Sequence, residues 1–172
     1  GKTAQDRESL TDVQQIVSFF DSFLRQPQVW GQRIDQLLAG KAGLVDPHGH
    51  DLFQNLYPAL REAGWKPAEL YQAIVARVLH GQAGETLRAV TLRSASGEIG
   101  LRVGADRPYF GVINIGDVAG LMKLFAQGGI VCEEENISGS LFQGIPAAGS
   151  SINVLIGSRK FMEGWDCYRV SS

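Results

Sequence analysis

The sequence has few cysteines and no long hydrophobic run. Its 172 residues include two cysteines, Cys132 and Cys167, which lie far apart and form no C-x-x-C motif. This spacing indicates neither a disulfide framework nor a zinc site, so we expect both thiols to be buried. No apolar run approaches the roughly 20 residues that a membrane-spanning helix requires. The polar opening "GKTAQDRESL" resembles neither a signal peptide nor a transit peptide. The sequence therefore predicts a soluble, cytoplasmic protein without a membrane partner.

An excess of either charge is also absent. Sixteen lysines and arginines stand against eighteen aspartates and glutamates, which gives a net charge of −2. This balance argues against a dedicated basic nucleic-acid-binding module, although it is compatible with a local basic patch. A hydrophobic content of 44% is sufficient for one sizeable core, with or without an appendage.

The first half of the chain, 1–86, has the apolar spacing of helices. Apolar residues recur every three or four positions in 13–24, after the alternative N-caps Ser9 and Thr11 and before Pro27. A shorter helical pattern follows in 28–40, and the turn-rich "KAGLVDPHGHD" predicts an exposed loop. "LFQNLYPALREAG" is weakly helical, whereas "KPAELYQAIVARVLHG" predicts a strong helix.

The second half has the apolar pattern of strands. Residues 87–104 contain two strand-like runs around a turn and predict a β-hairpin insertion. In 105–172, "YFGVINIG", "IVCEEENI" and "INVLIGS" read as strands that alternate with the helical runs "VAGLMKLFAQGG" and "SGSLFQGI". This alternation predicts an α/β fold with a parallel sheet flanked by helices. Because 152–156 is almost entirely apolar, we expect this strand near the sheet centre, covered on both faces, and the hairpin as an appendage or edge.

Several polar motifs have both a functional and a structural interpretation. "DPHGHD" offers Asp46, His48, His50 and Asp51, and its two histidines are spaced to share a metal, but we favour a solvated loop because no third partner stands at a characteristic spacing. We expect His80 to complement a helix dipole as a C-terminal cation. Asp117 follows Gly116 at a strand-to-helix turn, where helix amides could bind phosphate; capping is favoured because the carboxylate repels an anion. In "CEEEN" successive carboxylates point to opposite faces, so a charged edge strand is favoured over a catalytic pair.

The run "INVLIGSRKFMEGWDCYRVSS", with the upstream "FGVINIGDVAGLMKLF", resembles the second RecA-like lobe of superfamily 2 helicase ATPases. It is most similar to the restriction subunit of type III restriction-modification systems and its DEAD/DEAH-like relatives. "SRKFMEGWD" corresponds to helicase motif V, which often reads T-D-x-x-x-R-G-x-D. Ser158 matches its threonine, Gly164 its glycine and Asp166 its final aspartate, whereas Arg159 replaces the first aspartate and Glu163 the arginine.

The resemblance implies a RecA-like fold and a division of labour between two lobes. ATP and Mg²⁺ are held mainly by the first lobe, so this chain is expected to be a fragment without catalytic or metal-binding residues of its own. The "GKT" at 1–3 does not supply the phosphate loop, because no strand or glycine-rich turn precedes Lys2. The implied partners are double-stranded DNA, the first lobe of the same polypeptide and a modification methyltransferase.

Motif V implies a role for each matching residue. Ser158, Arg159 and Lys160 are expected to bind nucleic acid, while Gly164 and Asp166 belong to the nucleotide site, with Trp165 packing beneath the loop. A second hypothesis treats the chain as a non-catalytic α/β interaction module, in which the helical half and the hairpin dock a partner and "GWD" is only structural.

Overall fold

The structure is a computed structural model that describes residues 4–54 and 56–157. This part of the chain forms six helices and five strands. The helices are α1 (Ala4–Arg25), α2 (Pro27–Leu38), α3 (Pro58–Glu62), α4 (Pro67–Val78), α5 (Val118–Gln127) and α6 (Leu141–Gly144). The strands are β1 (Leu87–Leu92), β2 (Glu98–Val103), β3 (Gly111–Asn114), β4 (Val131–Glu135) and β5 (Val154–Gly157). The fold is therefore α/β, as the sequence predicts.

Proline residues mark where the N-terminal helices begin. Pro27, Pro58 and Pro67 each occupy the first turn of a helix, where the missing N–H has no intrahelical partner to lose. The first helix starts at Ala4, so neither Ser9 nor Thr11 is its N-cap and that prediction is wrong. The predicted loop after α2 is confirmed as a turn-rich, exposed segment.

The five strands form one mixed sheet in the order β4-β1-β2-β3-β5. β1 and β2 pair antiparallel, as do β2 and β3, whereas β4 is parallel to β1 and β5 is parallel to β3. Four strands thus run in one direction and β2 runs against them. The sheet is not purely parallel, because the hairpin supplies the reversed strand.

The hairpin position differs from the prediction. β1 and β2 do form a hairpin, but they lie inside the sheet rather than at an edge. In β2, Gly100 and Arg102 alternate with apolar residues, a pattern that indicates one solvated face. In the structure this face is covered by the Tyr109 ring and by two glutamates. A Cβ on Gly100 would lie 2.5 Å from Cε1 of Tyr109, and Arg102 is covered because it is bound by two glutamates.

The predicted central strand is confirmed as parallel to β3 but not as central. Within the described residues β5 is the last strand of the sheet. Apolar residues in and just before β5 reach both faces: Ile156 joins the main core, while Ile152 and Leu155 join a smaller cluster on the opposite side. Asn153, just before the strand, is exposed, and its side-chain amide donates hydrogen bonds to carbonyl oxygens at the end of α4.

The two faces of the sheet are covered differently. One face, here called the helical face, carries Ala89, Leu101 and Ile113 and packs against α1, α4 and α5 through buried residues such as Val17, Val75, Leu121 and Phe125. The other, here called the loop face, packs its apolar part against α6 and the segments before and after it. Helical connections on both faces are typical of α/β folds.

Two further observations bear on the composition-based predictions. In 4–54 and 56–157 no helix has the length and apolarity needed to cross a membrane. Cys132 is exposed rather than buried, because it lies on β4, which is the outermost strand on its side of the sheet within 4–54 and 56–157. Cys167 lies outside the described residues.

Candidate functional site

The carboxyl ends of four strands meet at one edge of the sheet. β1, β3, β4 and β5 run in the same direction and end there. β3 and β5 are neighbours, and their last residues, Asn114 and Gly157, are register partners. Ligands of open α/β sheets bind beyond this edge, so it is the first place to look for a site.

The sequence-predicted site begins where β5 ends. Ser158 follows Gly157 directly in the chain, and Arg159 and Lys160 follow it. These residues, together with Gly164, Trp165 and Asp166, lie outside the described residues. Their predicted roles in nucleic-acid and nucleotide binding therefore stay predictions, connected to the described fold through Gly157.

The turn after β3 is occupied by a helix cap. The Asp117 carboxylate accepts a hydrogen bond from the Gly120 amide at 3.1 Å, which satisfies one of the free N–H groups at the start of α5. Gly116 beside it is exposed. The prediction that Asp117 is a cap is confirmed, and the carboxylate makes this helix start unfavourable for an anion.

A buried carboxylate lies at the same edge and was not predicted. Glu98, at the start of β2, is 5% exposed and is the register partner of Asn114. It accepts a hydrogen bond from the Ser140 hydroxyl and one from the Phe142 amide at 3.3 Å. Glu98 thus anchors the start of α6 to the sheet. Since Ser140 lies more than forty positions away, no local sequence pattern indicates this pairing.

An arginine–glutamate cluster lies on the loop face near β4. It is defined by Arg88, Arg102, Tyr109, Glu133 and Glu135. Arg102 binds Glu133 at 2.9 Å and Glu135 at 3.0 Å, and Arg88 also binds Glu133. The Tyr109 hydroxyl donates to Glu135, and its ring centroid lies 5.4 Å from the Arg102 guanidinium carbon. The cluster joins β4 to β1 and β2.

The protonation of the cluster follows from these contacts. The hydrogen bond from Arg102 lowers the pKa of Glu133, and the hydrogen bond from Tyr109 lowers that of Glu135. Burial raises the pKa of Tyr109, and the bond to Glu135 raises it further. Both carboxylates are therefore ionised and the phenol neutral at pH 7, so neither glutamate suits a general acid.

The outcome for "CEEEN" is mixed. Among the described strands it lies at the edge of the sheet as predicted, and Glu134 lies on the face opposite Glu133 and Glu135, where it binds Arg93 at 2.7 Å. The two glutamates on the loop face do converge, but on Arg102 rather than on a substrate position. Within the described part of the chain, Nε of Arg88 and Nε of Arg102 are buried without a hydrogen-bond partner.

The "DPHGHD" loop is held by its own aspartate. The Asp46 carboxylate accepts hydrogen bonds from the backbone amides of His48 and His50, at 2.8 and 2.9 Å, and lies 3.2 Å from the His50 ring. The hydrogen bond from the His50 amide is the main cause of the lowered pKa of Asp46. Residues 4–54 and 56–157 contain no cluster of three or more metal-ligating side chains. His48 and His50 are both exposed, as the loop prediction expects.

His80 lies two residues beyond the end of α4 at Val78, and its predicted role as a helix-terminal cation stays a prediction. Its Nε2 lies 2.7 Å from the Ser151 carbonyl oxygen, so the ring connects the end of α4 to the segment before β5. Lys2, in the "GKT" at 1–3, lies outside the described residues.

Comparison of the chain with protein-family models, with characterised proteins and with solved structures found no match. The helicase resemblance therefore rests on the residues of the sequence itself, above all on 158–166. What the fold adds is the described strand, β5, that leads into this run at the carboxyl edge of the sheet.

Proposed function

We propose that the chain is part of an ATP-driven DNA translocase or helicase of superfamily 2, related to the restriction subunit of type III restriction-modification systems. In this proposal the sheet belongs to the second RecA-like lobe. The supporting observation is the position of β5, which is parallel to β3 and leads at Gly157 into 158–166. A motif that contacts nucleotide or DNA is expected at this carboxyl edge.

The residues of the motif have separate roles in the proposal. Ser158, Arg159 and Lys160 contact the phosphate backbone of double-stranded DNA. Gly164 provides a tight turn, and Asp166 faces the ATP ribose or the contact between lobes. The first lobe supplies the phosphate loop and the Mg²⁺-binding carboxylates, so residues 1–172 by themselves hydrolyse no ATP.

The test uses the full-length protein that contains this sequence. ATP turnover is measured with Mg²⁺ in the absence and presence of duplex DNA. We expect DNA to stimulate turnover and Arg159→Ala to weaken DNA binding, with a salt dependence flatter by about one phosphate contact. If duplex DNA neither binds nor stimulates turnover, the proposal fails.

The interaction-module alternative retains one supporting observation. Ile16, Phe19 and Val29 on α1 and α2 are each more than 40% exposed, which leaves an apolar strip on the helical half. The hairpin supports this alternative less well, because both of its strands already have neighbours on each side. A full-length protein without DNA-stimulated turnover favours this alternative.

A further inference from the structure

A cleft lies between α2 and α4. Its volume is about 740 Å³, which is within the range of about 300–1,000 Å³ that is typical of sites for small ligands. One wall is a face of α2 that includes Gln28, Gln32 and Asp35, and the other is formed by the first turns of α4, with Ala68 and Tyr71. None of the described lining residues lies on a strand, so the cleft is separate from the carboxyl edge of the sheet.

The floor of the cleft is fixed by the core. Tyr71 is 2% exposed, and its hydroxyl donates to the Phe23 carbonyl oxygen at 2.6 Å. The two ring centroids lie 4.9 Å apart, and Ile34 of α2 and Val75 of α4 are buried in the same core cluster. Both walls are therefore anchored in one core, so the cleft is formed before any ligand binds, as is usual for small-ligand sites.

Gly31 opens the wall formed by α2. It lies inside the helix, where glycine is less favourable than every residue except proline. No described atom lies within 4 Å of the position that a Cβ on Gly31 would take. Close packing within the described chain therefore does not account for this glycine. Glycine also occurs where a ligand approaches the backbone closely, and Gly31 lines the cleft.

The polar groups of the cleft determine the kind of ligand that it suits. Gln28 and Gln32 on α2 and Gln72 on α4 each carry a side-chain amide, which both donates and accepts hydrogen bonds. Asp35 and Lys66 add one carboxylate and one ammonium group, and neither forms an ion pair within the described part of the chain. Because the two charges cancel, the cleft does not favour a polyanion such as a nucleotide or DNA.

We propose that this cleft binds a short free peptide in its zwitterionic form. Asp35 and Lys66 complement the charged amino and carboxyl termini of such a ligand, and the glutamine amides complement the peptide groups between them. Pro27, Pro67 and Ala68 provide apolar contacts for its side chains. The proposal goes beyond the proposed function, since the cleft takes no part in ATP hydrolysis or DNA binding.

The test measures the binding of a defined dipeptide to the full-length protein that contains this sequence. L-alanyl-L-leucine is compared with N-acetyl-L-alanyl-L-leucinamide, which keeps the side chains and peptide groups but has neither charged terminus. Saturation-transfer NMR gives both dissociation constants. Exposed ion pairs contribute about threefold each in affinity, so we expect the free dipeptide to bind about tenfold more tightly than the blocked one. Equal affinities, or no binding of the free dipeptide, would overturn the proposal.

A variant that fills the cleft shows whether binding takes place there. Gly31→Leu adds a side chain in the open space and improves the helix propensity of α2. We expect the melting temperature to be kept and the dissociation constant of the free dipeptide to rise at least about tenfold, because the side chain occupies its place. Gln36→Leu is the matched control, since it adds the same side chain at an exposed position of α2 outside the cleft. If both variants bind the dipeptide equally well, the proposal fails.

Two further variants remove the charges without filling the cleft. Asp35→Asn and Lys66→Met should each weaken binding of the free dipeptide about threefold and leave binding of the blocked dipeptide unchanged. This comparison decides the question if Gly31→Leu lowers the melting temperature. Adenosine monophosphate is the anionic comparison. If it binds as tightly as the free dipeptide, or if neither charge variant changes the affinity for the dipeptide, the proposal is overturned.

Discussion

At the scale of single residues, Gly100 decides how the loop face is packed. It lies on β2 where the Tyr109 ring crosses the sheet, and the phenol donates to Glu135 from that position. The ring can lie there because residue 100 has no side chain. The sequence shows a glycine in a strand, which indicates a close approach, but it does not show which group approaches.

Gly100→Ala is expected to destabilise the fold. A Cβ at this position would lie 2.5 Å from the Tyr109 ring and 3.2 Å from Cδ1 of Leu141, so the ring must move. We expect a loss of about 1–3 kcal/mol in the free energy of unfolding, measured by urea denaturation. Gly31→Ala in α2 is the control, because no atom lies within 4 Å of its added Cβ; it should be neutral or stabilising. Equal stability of the Gly100→Ala variant and the wild type would contradict this account of the packing.

The arginine–glutamate cluster predicts a dependence of stability on acid. The pKa values of Glu133 and Glu135 are lowered from the ordinary value of 4.5 by their hydrogen bonds to Arg102 and Tyr109. Their contribution is therefore fully present above pH 4.5 and is lost as the pH falls below it toward the lowered values.

Glu133→Gln should flatten this acid limb of the stability curve, because glutamine does not titrate. The measurement is the midpoint of urea unfolding between pH 3 and pH 7. Glu62→Gln, on the exposed surface of α3, serves as the control. If both variants keep the same slope as the wild type below pH 4.5, Glu133 does not contribute to it.

At the scale of elements, the sequence predicts helix starts and turns, which depend on neighbouring residues, better than it predicts the order of the strands, which depends on distant ones. Pro67 at the start of α4, Asp117 at the start of α5 and the turn of the hairpin all act within a few residues, and each is confirmed. The strand order depends on pairing between distant segments, such as Arg88 with Val131, which no local pattern encodes. The charges of "CEEEN" predict an edge strand, but they do not show that Glu133 and Glu135 pair with Arg102 on β2.

The interior position of the hairpin can be tested by amide hydrogen exchange. β1 and β2 each have a strand on both sides, whereas β5 and β4 have one described neighbour. We expect the amides of β1 and β2 to exchange most slowly, close to the rate set by global unfolding, and those of β5 to exchange faster through local opening. Peptide-resolved mass spectrometry provides the measurement, with α5 as the internal reference for a buried element. Fast exchange throughout 87–104 would instead indicate an appendage.

At the scale of the whole molecule, the candidate site combines a described scaffold with a predicted loop. The scaffold is the carboxyl edge where Asn114 and Gly157 pair, and the loop is 158–166. The sequence predicts the loop because Ser158, Gly164 and Asp166 match the serine or threonine, glycine and final aspartate of a motif. Only the fold shows that α4 reaches the same strand through His80 and Asn153, since those contacts join segments more than seventy positions apart.

The last prediction concerns Asp166 in the full-length protein. If 158–166 acts as motif V, Asp166→Ala lowers DNA-stimulated ATP turnover and translocation while the fold persists, because a single carboxylate outside the core contributes little to stability. The measurement pairs thermal unfolding with DNA-stimulated turnover. Arg159→Ala is the companion variant and should weaken DNA binding at a given salt concentration without lowering the melting temperature.

If Asp166→Ala instead melts the protein while turnover per folded molecule is unchanged, "GWD" is a structural corner. The interaction-module hypothesis would then account better for the apolar strip on α1 and α2.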